Sequence, residues 1–455
     1  MLQNPSFAKG CRSPNKTRLP LHKPPDARES MMSIRANAND RPASPVGTRD
    51  IIWLLSLSIV LVSTLLPFSS YVAAMPFIKE EWGLNNTQAG AIFSAYLAGY
   101  AVAALLVLPL TDRLPVTRVF MASAITTVSA NVLFPLVAQD IVTASLLRAA
   151  AGVGLVGIYM PGLRMISERF ADSGKGAAMG MYVTAFYSAS AISLASTGAL
   201  MSRFEWRDAF LILAAISAVN IPLAYMVTAG RDISRGARST GRLNVRVIRN
   251  KRARANILAY SLHAMELYAV RVWLPGLFMA VLVASGEDPA DAAVKAATVA
   301  GIALAFGSVG PLMGGAMSDR WGRARTAAGI FALSGACSWA IGWIGGVPWP
   351  VLVGVAVVYG WAISADSSIY STAVTESASS GDLGSMMAMQ AFLGFMGGVV
   401  GPILIGGVLD VFPDTIDWGM GFSAIGMLAV IAIPVLLRTG DPTNEALTEE
   451  ESAPG

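Results

Sequence analysis

The sequence predicts an all-α integral membrane protein with twelve transmembrane helices, arranged as two six-helix pseudo-symmetric bundles. Its 455 residues are 54% hydrophobic and only 14% charged, whereas a soluble protein needs charge on about a quarter of its residues. Apolar runs of about 20 residues, the length that crosses hydrocarbon, recur along the chain. The two halves of the chain also repeat each other at a nearly constant spacing.

Each apolar run must be helical, because an unpaired backbone group in lipid costs several kcal/mol. A basic interval separates the first six runs from the last six. The predicted spans lie near residues 51–75, 88–110, 118–138, 141–165, 175–201, 207–229, 256–282, 292–317, 325–345, 350–375, 384–408 and 418–437.

These spans predict a division of the chain into five parts. The first residues are rich in Pro, Ser and basic side chains and lack the apolar core of a secretory signal, so we expect disorder there. Met31 and Met32 leave open a later start, with residues 1–31 untranslated. The parts are a basic cytoplasmic tail (1–49), an N-terminal bundle (50–229), a basic cytoplasmic linker (230–254), a C-terminal bundle (255–438) and an acidic disordered tail (439–455).

The charges of the connecting loops predict the orientation. With both termini inside, seventeen Lys and Arg residues lie in inward loops and four in outward loops. Such a bias is typical of cytoplasmic loops, and we expect the bacterial inner membrane. The linker's position between the two bundles favours contact with anionic lipid over nucleic acid.

The internal repeat places the halves in register. Asp112 in "LPLTDRLPVTR" matches Asp319 in "GGAMSDRWGRAR" 207 positions later, and Gly198 matches Gly406 at 208. Glu168 and Glu376 are also 208 apart. Duplicated halves are typical of transporters that bind substrate between them near the midplane.

The motif "GGAMSDRWGRAR" closely resembles the signature of the major facilitator superfamily, and the resemblance covers residues 50 to 438. It implies close helix approach at Gly315 and a charge network that breaks and re-forms during transport. The first copy keeps two of the motif residues but lacks its glycines. The implied conformational latch comprises Asp112, Arg113, Gly315, Asp319, Arg320, Gly322 and Arg323.

Two further patterns extend the resemblance. "LLRAAAGVG" matches the fourth-helix pattern in which proton-linked members use the arginine, here Arg148, in proton coupling. The His, Glu-Leu and Trp of the seventh helix resemble cyanate-permease-like members. A Gly-Pro-rich motif lies in the eleventh helix rather than the fifth, which argues against a drug exporter.

The stretch "SLHAMELYAVRVW" places His263, Glu266 and Arg271 in one membrane span. A charged side chain at mid-bilayer costs about 2.5–3.5 kcal/mol, so these groups must face a cavity or a partner. We interpret them as a substrate and proton pathway; the alternative is a cluster that only braces helices. Asp366 is either a buried partner of a base such as Arg271 or a coupling residue.

The predicted pathway also includes aromatic residues, for which packing is the alternative role. The full set is Arg148, His263, Glu266, Arg271, Asp366, Tyr71, Tyr100, Tyr187 and Trp273.

These residues predict a secondary active transporter that moves a small organic solute, with an anion favoured, by alternating access and proton symport. The alternatives are proton-coupled efflux of amphipathic drugs and a non-transporting membrane sensor. The sequence has no phosphate-binding Gly-Lys loop or metal-ligand cluster, so we expect no enzyme, metal or cofactor. The expected partners are an anionic substrate, protons and lipids, with no nucleic acid, and we expect a monomer.

Overall fold

The computed structural model describes residues 46–110, 114–170, 173–229, 248–378 and 383–439. Every regular element in these ranges is a helix, as predicted. Most of the predicted tails, most of the predicted linker and the latch residues Asp112 and Arg113 lie outside the described residues. The first helix begins at Thr48, inside the predicted tail.

Seventeen α-helices follow one another along the described chain. They are α1 (Thr48–Leu65), α2 (Ser70–Trp82), α3 (Asn86–Leu110), α4 (Val116–Val137), α5 (Ile141–Arg169), α6 (Lys175–Met201), α7 (Trp206–Ser217), α8 (Asn220–Thr228), α9 (Lys251–Ala284), α10 (Pro289–Ala305), α11 (Gly310–Trp321), α12 (Arg323–Ile341), α13 (Trp349–Ala365), α14 (Ser367–Glu376), α15 (Leu383–Val411), α16 (Asp417–Gly426) and α17 (Leu428–Thr439).

Eleven helical segments of the described chain are long and apolar enough to cross a membrane. Several of them are two consecutive helices with a short break, such as α1 and α2, or α13 and α14. The predicted ninth span corresponds to α12, a 19-residue helix that carries Arg323 and Arg325 in its first turn and is not among these eleven segments. The protein is therefore an all-α integral membrane protein.

Side-chain contacts identify the two faces at which the helices end. At one face Asp50 pairs with Arg169 at 2.6 Å, and Trp53 donates a hydrogen bond to the carbonyl oxygen of Val227. We name this the terminal face, because α1 begins and α8 ends there. At the opposite face, Glu81 pairs with Arg207 and accepts a hydrogen bond from Trp206.

The first half of the chain (α1–α8) meets the second half (α9–α17) closely near the opposite face. A Cβ added to Gly406 of α15 would lie 2.5 Å from the carbonyl oxygen of Asn86, and one added to Gly198 of α6 would lie 2.8 Å from Oγ1 of Thr298. The two glycines matched by the internal repeat thus lie at equivalent contacts, α15 with α3 and α6 with α10.

Candidate functional site

A cavity of about 580 Å³ lies between the two halves, on the side of the terminal face. Helices α5 and α6 line it from the first half, and α9, α14 and α15 line it from the second. The lining extends to Gly176, an exposed residue in the first turn of α6. The cavity is therefore accessible toward the terminal face, while the halves are in contact at the opposite face.

A chain of polar side chains crosses between the halves at this cavity. His263 of α9 lies with Nδ1 2.9 Å from Oδ1 of Asp366, and both side chains are 2% exposed. Its Nε2 lies 2.9 Å from Oγ of Ser367, which accepts a hydrogen bond from the hydroxyl of Tyr187 in the first half. Tyr370 donates to the other carboxylate oxygen of Asp366. A base in the second half is thus linked to a tyrosine in the first.

The break between α13 and α14 positions this chain. Asp366 is the one residue between the two helices, and a break frees backbone groups that side chains or neighbours must satisfy. Asp366 and Ser367 are consecutive, so the break presents both side chains to the imidazole of His263. Oδ1 of Asp366 accepts no hydrogen bond of regular geometry from the described residues, although Nδ1 of His263 lies 2.9 Å from it.

Glu266 lies behind the cavity wall, inside the second half. Its carboxyl group accepts hydrogen bonds of 3.0 Å from Ser334 of α12 and Tyr359 of α13, and the residue is 1% exposed. No basic side chain pairs with it among the described residues. We expected Glu266 to face a cavity or a partner, and its partners are two hydroxyl groups. Its carboxyl group does not line the cavity.

Arg271 lies near the boundary between the halves. Its guanidinium is 5.2 Å from the ring centre of Tyr187 and 5.9 Å from that of Tyr268. Both rings line the cavity. Arg271 is 7% exposed, and within the described ranges no carboxylate pairs with it. It is a nearly buried positive charge beside the cavity with two aromatic faces as its neighbours.

His263, Glu266 and Arg271 of α9 do not form one cluster. His263 contacts α14, Glu266 contacts α12 and α13, and Arg271 contacts α6. The alternative of a mutually satisfied bracing cluster is therefore wrong. The suggested pairing of Asp366 with Arg271 is also wrong, because the carboxylate of Asp366 contacts His263 instead.

Arg148 is buried within the first half. It donates hydrogen bonds to the carbonyl oxygens of Phe68, at 2.9 Å, and Pro67, at 3.5 Å, in the break between α1 and α2. Its Nε has no hydrogen-bond partner in the described part of the chain, and its guanidinium lies 4.7 Å from the ring centre of Tyr96. These are the backbone contacts of a packing role, and the part of Arg148 in a pathway stays a prediction.

The predicted aromatic residues occupy different places. Tyr187 lines the cavity. Tyr100 of α3 stacks on Phe395 of α15 across the halves, with ring centres 3.9 Å apart, and Tyr71 donates to the carbonyl oxygen of Ala89. Trp273 lies toward the opposite face, where its indole donates to the carbonyl oxygen of Pro402. Of these four, the structure brings only Tyr187 to the polar chain.

Several residues of the site were not predicted from the sequence. The position of Ser367 could have been predicted, because it directly follows Asp366 in a span with many hydroxyl side chains. No sequence pattern marks Ser334, Tyr359 and Gln390, because isolated hydroxyl and amide groups are common in membrane helices.

A model of the Major Facilitator Superfamily matches residues 57–347 and 257–454. The chain belongs to the major facilitator superfamily. A gallate transporter of Pseudomonas putida is 23% identical over 436 residues, covering 85% of this chain and 92% of the relative. A probable L-galactonate transporter of Escherichia coli (strain K12) is 24% identical, covering 58% of this chain and 61% of the relative.

Solved structures of superfamily transporters share the fold. A bacterial homologue of the human lysosomal transporter Spinster, inward-facing and unoccupied, has a TM-score of 0.67 at 15% identity and covers 86% of this chain and 96% of its own. The nucleoside transporter NupG has a TM-score of 0.68 at 14% identity, covering 85% of this chain and 98% of its own. The resemblance to cyanate-permease-like members of the superfamily is not among these matches and stays a prediction.

The superfamily motif forms a charge network inside the second half. Arg323 contacts Asp319 at 2.5 Å and Glu376 of α14 at 3.1 Å. Burial alone would lower the pKa of Arg323, but its hydrogen bonds to the two carboxylates outweigh burial, and the pKa is raised. Gly322 has a φ of 86°, which joins α11 to α12 in a conformation that favours glycine. Arg320 is exposed.

The close helix contact of this motif involves a different glycine from the predicted one. A Cβ on Gly314 would lie 1.9 Å from the carbonyl oxygen of Ala365, whereas a Cβ on Gly315 would lie 3.4 Å from Oγ of Ser368, an ordinary contact. Gly314, rather than Gly315, permits α11 to approach α13. The role of the network as a latch stays a prediction.

Proposed function

We propose that the protein is a secondary active transporter that imports a small organic anion together with protons by alternating access. The observation that carries the proposal is Arg271, a guanidinium 7% exposed between the halves that no carboxylate of the described chain neutralises. A buried charge without a partner is costly, and an anionic substrate would supply that partner. A positive charge in this position favours an anion over a cation or a neutral solute.

The relatives support the same class of substrate. Their names specify transport of gallate, L-galactonate and, for a relative of Cupriavidus necator that is 26% identical over 162 residues, sulfoacetate. All three compounds are small organic acids. They differ in ring content, hydroxyl groups and charge, so they support the class and not one member of it.

The charge asymmetry of the loops supports a cytoplasmic terminal face and the inner membrane. In that orientation the cavity is open to the cytoplasm and closed to the outside. Import then requires a second state, in which the contacts of α3 with α15 and of α6 with α10 separate and the terminal face closes. Gly198 and Gly406, the glycines matched by the internal repeat, lie at these two contacts.

The proposed proton site is the pair of His263 and Asp366, with Glu266 as a second carrier deeper in the second half. A short contact between an imidazole nitrogen and a carboxylate requires a proton on one of the two atoms. A further proton on Nε2 would turn that nitrogen from acceptor to donor toward Ser367, which already accepts from Tyr187. Protonation would therefore change the hydrogen bond between His263 and Ser367, which adjoins the Tyr187–Ser367 hydrogen bond that links the halves.

The test is uptake into proteoliposomes that contain the purified full-length protein. Radiolabelled gallate, L-galactonate and sulfoacetate are offered with and without an imposed inward proton gradient. We expect at least one of the acids to accumulate above equilibrium only with the gradient. Accumulation that is indifferent to the gradient would refute proton coupling, and the absence of both uptake and exchange for organic anions would refute the transporter.

A further inference from the structure

Aromatic rings from both halves form part of the walls of the cavity at the terminal face. Tyr159 and Phe186 of the first half contact each other with ring centres 4.8 Å apart, and Tyr268 and Phe395 of the second half do so at 6.0 Å. Among the described residues, the Phe and Tyr rings that line the cavity are those of Tyr159, Phe186, Tyr187, Tyr260, Tyr268 and Phe395. A flat ligand between these walls would contact ring faces of both halves at once.

The charged groups near the cavity favour a ligand with a single negative charge. Among the described residues, the lining contains no Asp, Glu, Lys or Arg, and its one histidine, His263, is already in contact with Asp366. Arg271, which no carboxylate of the described chain neutralises, lies against the rings of Tyr187 and Tyr268 in this lining. A dianion would bring a second charge that no side chain of the lining neutralises, which is unfavourable in a site of low dielectric.

The hydrogen-bonding groups of the lining are few and mostly occupied. Ser367 accepts from Tyr187, while Ser368 donates to the carbonyl oxygen of Pro311 and Thr372 donates to that of Ser368. The remaining groups include the side-chain oxygen of Gln390, whose Nε2 donates to Ser371 at 3.3 Å, and the hydroxyls of Tyr159, Tyr260 and Tyr268. This set can serve one or two polar substituents on a ring, but it does not match a chain that carries a hydroxyl on every carbon.

We infer that the transported anion is an aromatic monocarboxylate with a single ring. The ring lies between the aromatic walls, the carboxylate faces Arg271, and a hydroxyl on the far side of the ring faces Gln390. This inference rests on the proposed function and narrows its substrate. Aromatic pairs add to the favourable burial of a ring, and the guanidinium forms charge-assisted hydrogen bonds with a carboxylate.

The test is calorimetric titration of the purified full-length protein with four acids. Benzoate is the aromatic monoanion, cyclohexanecarboxylate has the same size and charge without aromaticity, phthalate has a second carboxylate, and gluconate is a polyhydroxylated chain. We expect benzoate to bind about 2- to 12-fold more tightly than cyclohexanecarboxylate, and phthalate and gluconate to bind more weakly than both. Equal or tighter binding of any of the three than of benzoate overturns the inference.

A pair of variants at Phe186 tests whether the aromatic rings of the cavity contribute to binding. Phe186→Leu removes a ring and keeps an apolar side chain, and Phe186→Tyr keeps the ring. We expect Phe186→Leu to weaken benzoate more than cyclohexanecarboxylate, and Phe186→Tyr to leave the ratio of the two affinities unchanged. An equal loss for both ligands in Phe186→Leu would contradict an aromatic wall.

Uptake into proteoliposomes separates this inference from the proposed function. If gluconate or phthalate accumulates and benzoate does not, the protein is a transporter of organic anions and the aromatic substrate class is wrong. If no organic acid is taken up or exchanged, the proposed function itself is wrong.

Discussion

Asp410, near the end of α15, caps the first turn of α3 at Thr87. Its carboxylate accepts hydrogen bonds of 2.8 Å from the backbone N–H groups of Asn86 and Thr87 and one of 2.6 Å from the Thr87 hydroxyl. The first N–H groups of a helix have no partner within the helix. The cap therefore joins the second half of the chain to the first at the opposite face.

The variant Asp410→Ala should weaken this contact between the two halves at the opposite face. Loss of an N-cap costs about 0.5–2 kcal/mol, so the amides of Asn86 and Thr87 should exchange hydrogen about 2- to 30-fold faster. Hydrogen–deuterium exchange with mass spectrometry of the peptide that contains them measures this. Asp288→Ala is the matched control, because Asp288 caps its own helix at Ala290 and its loss should leave the exchange near Asn86 unchanged. Equal exchange in Asp410→Ala and the parent would show that the cap does not hold the halves.

Hydrophobic length and the internal repeat predicted most of the fold, because hydrocarbon leaves a chain few alternatives to a helix of about 20 residues. The sequence also indicated that His263, Glu266 and Arg271 needed partners. It could not say which ones, since a helical wheel describes one helix and not its neighbours. The partner of His263 depends on the break at Asp366, and that of Glu266 on the rotation of α12 and α13.

Replacing Glu266 with Gln should abolish proton-driven accumulation of the substrate without abolishing its transport. Gln keeps the shape of the side chain and leaves Ser334 and Tyr359 with a polar partner, so the fold should be retained. It cannot carry a proton, so accumulation driven by a proton gradient should be lost while counterflow exchange persists. Ser334→Ala keeps the carboxyl and should still accumulate substrate. Unaltered accumulation in Glu266→Gln would remove this carboxyl from the mechanism.

Replacing Arg271 with Gln should weaken anion binding. A hydrogen bond to a charged group contributes about 1.5–3 kcal/mol, which corresponds to a loss of affinity of about 10- to 150-fold, and Arg271→Lys should lose less because it keeps the charge. Affinity is measured by titration calorimetry with the acid that the protein transports. Lys295→Gln removes a cation that pairs with Glu287 far from the cavity and should bind normally. If Arg271→Gln bound the anion as tightly as the parent, the charge would have another role.

Two neighbouring glycines should respond differently to the same substitution. In Gly314→Ala the new Cβ meets the carbonyl oxygen of Ala365 at 1.9 Å, and this backbone group cannot rotate away. Overpacking costs about 1–3 kcal/mol, so the apparent melting temperature in detergent should fall. In Gly315→Ala the nearest atom is Oγ of Ser368 at 3.4 Å, and the melting temperature should stay close to that of the parent. Both values come from thermal unfolding followed by intrinsic fluorescence. If the two variants had the same apparent melting temperature, the approach of α11 to α13 would not depend on Gly314.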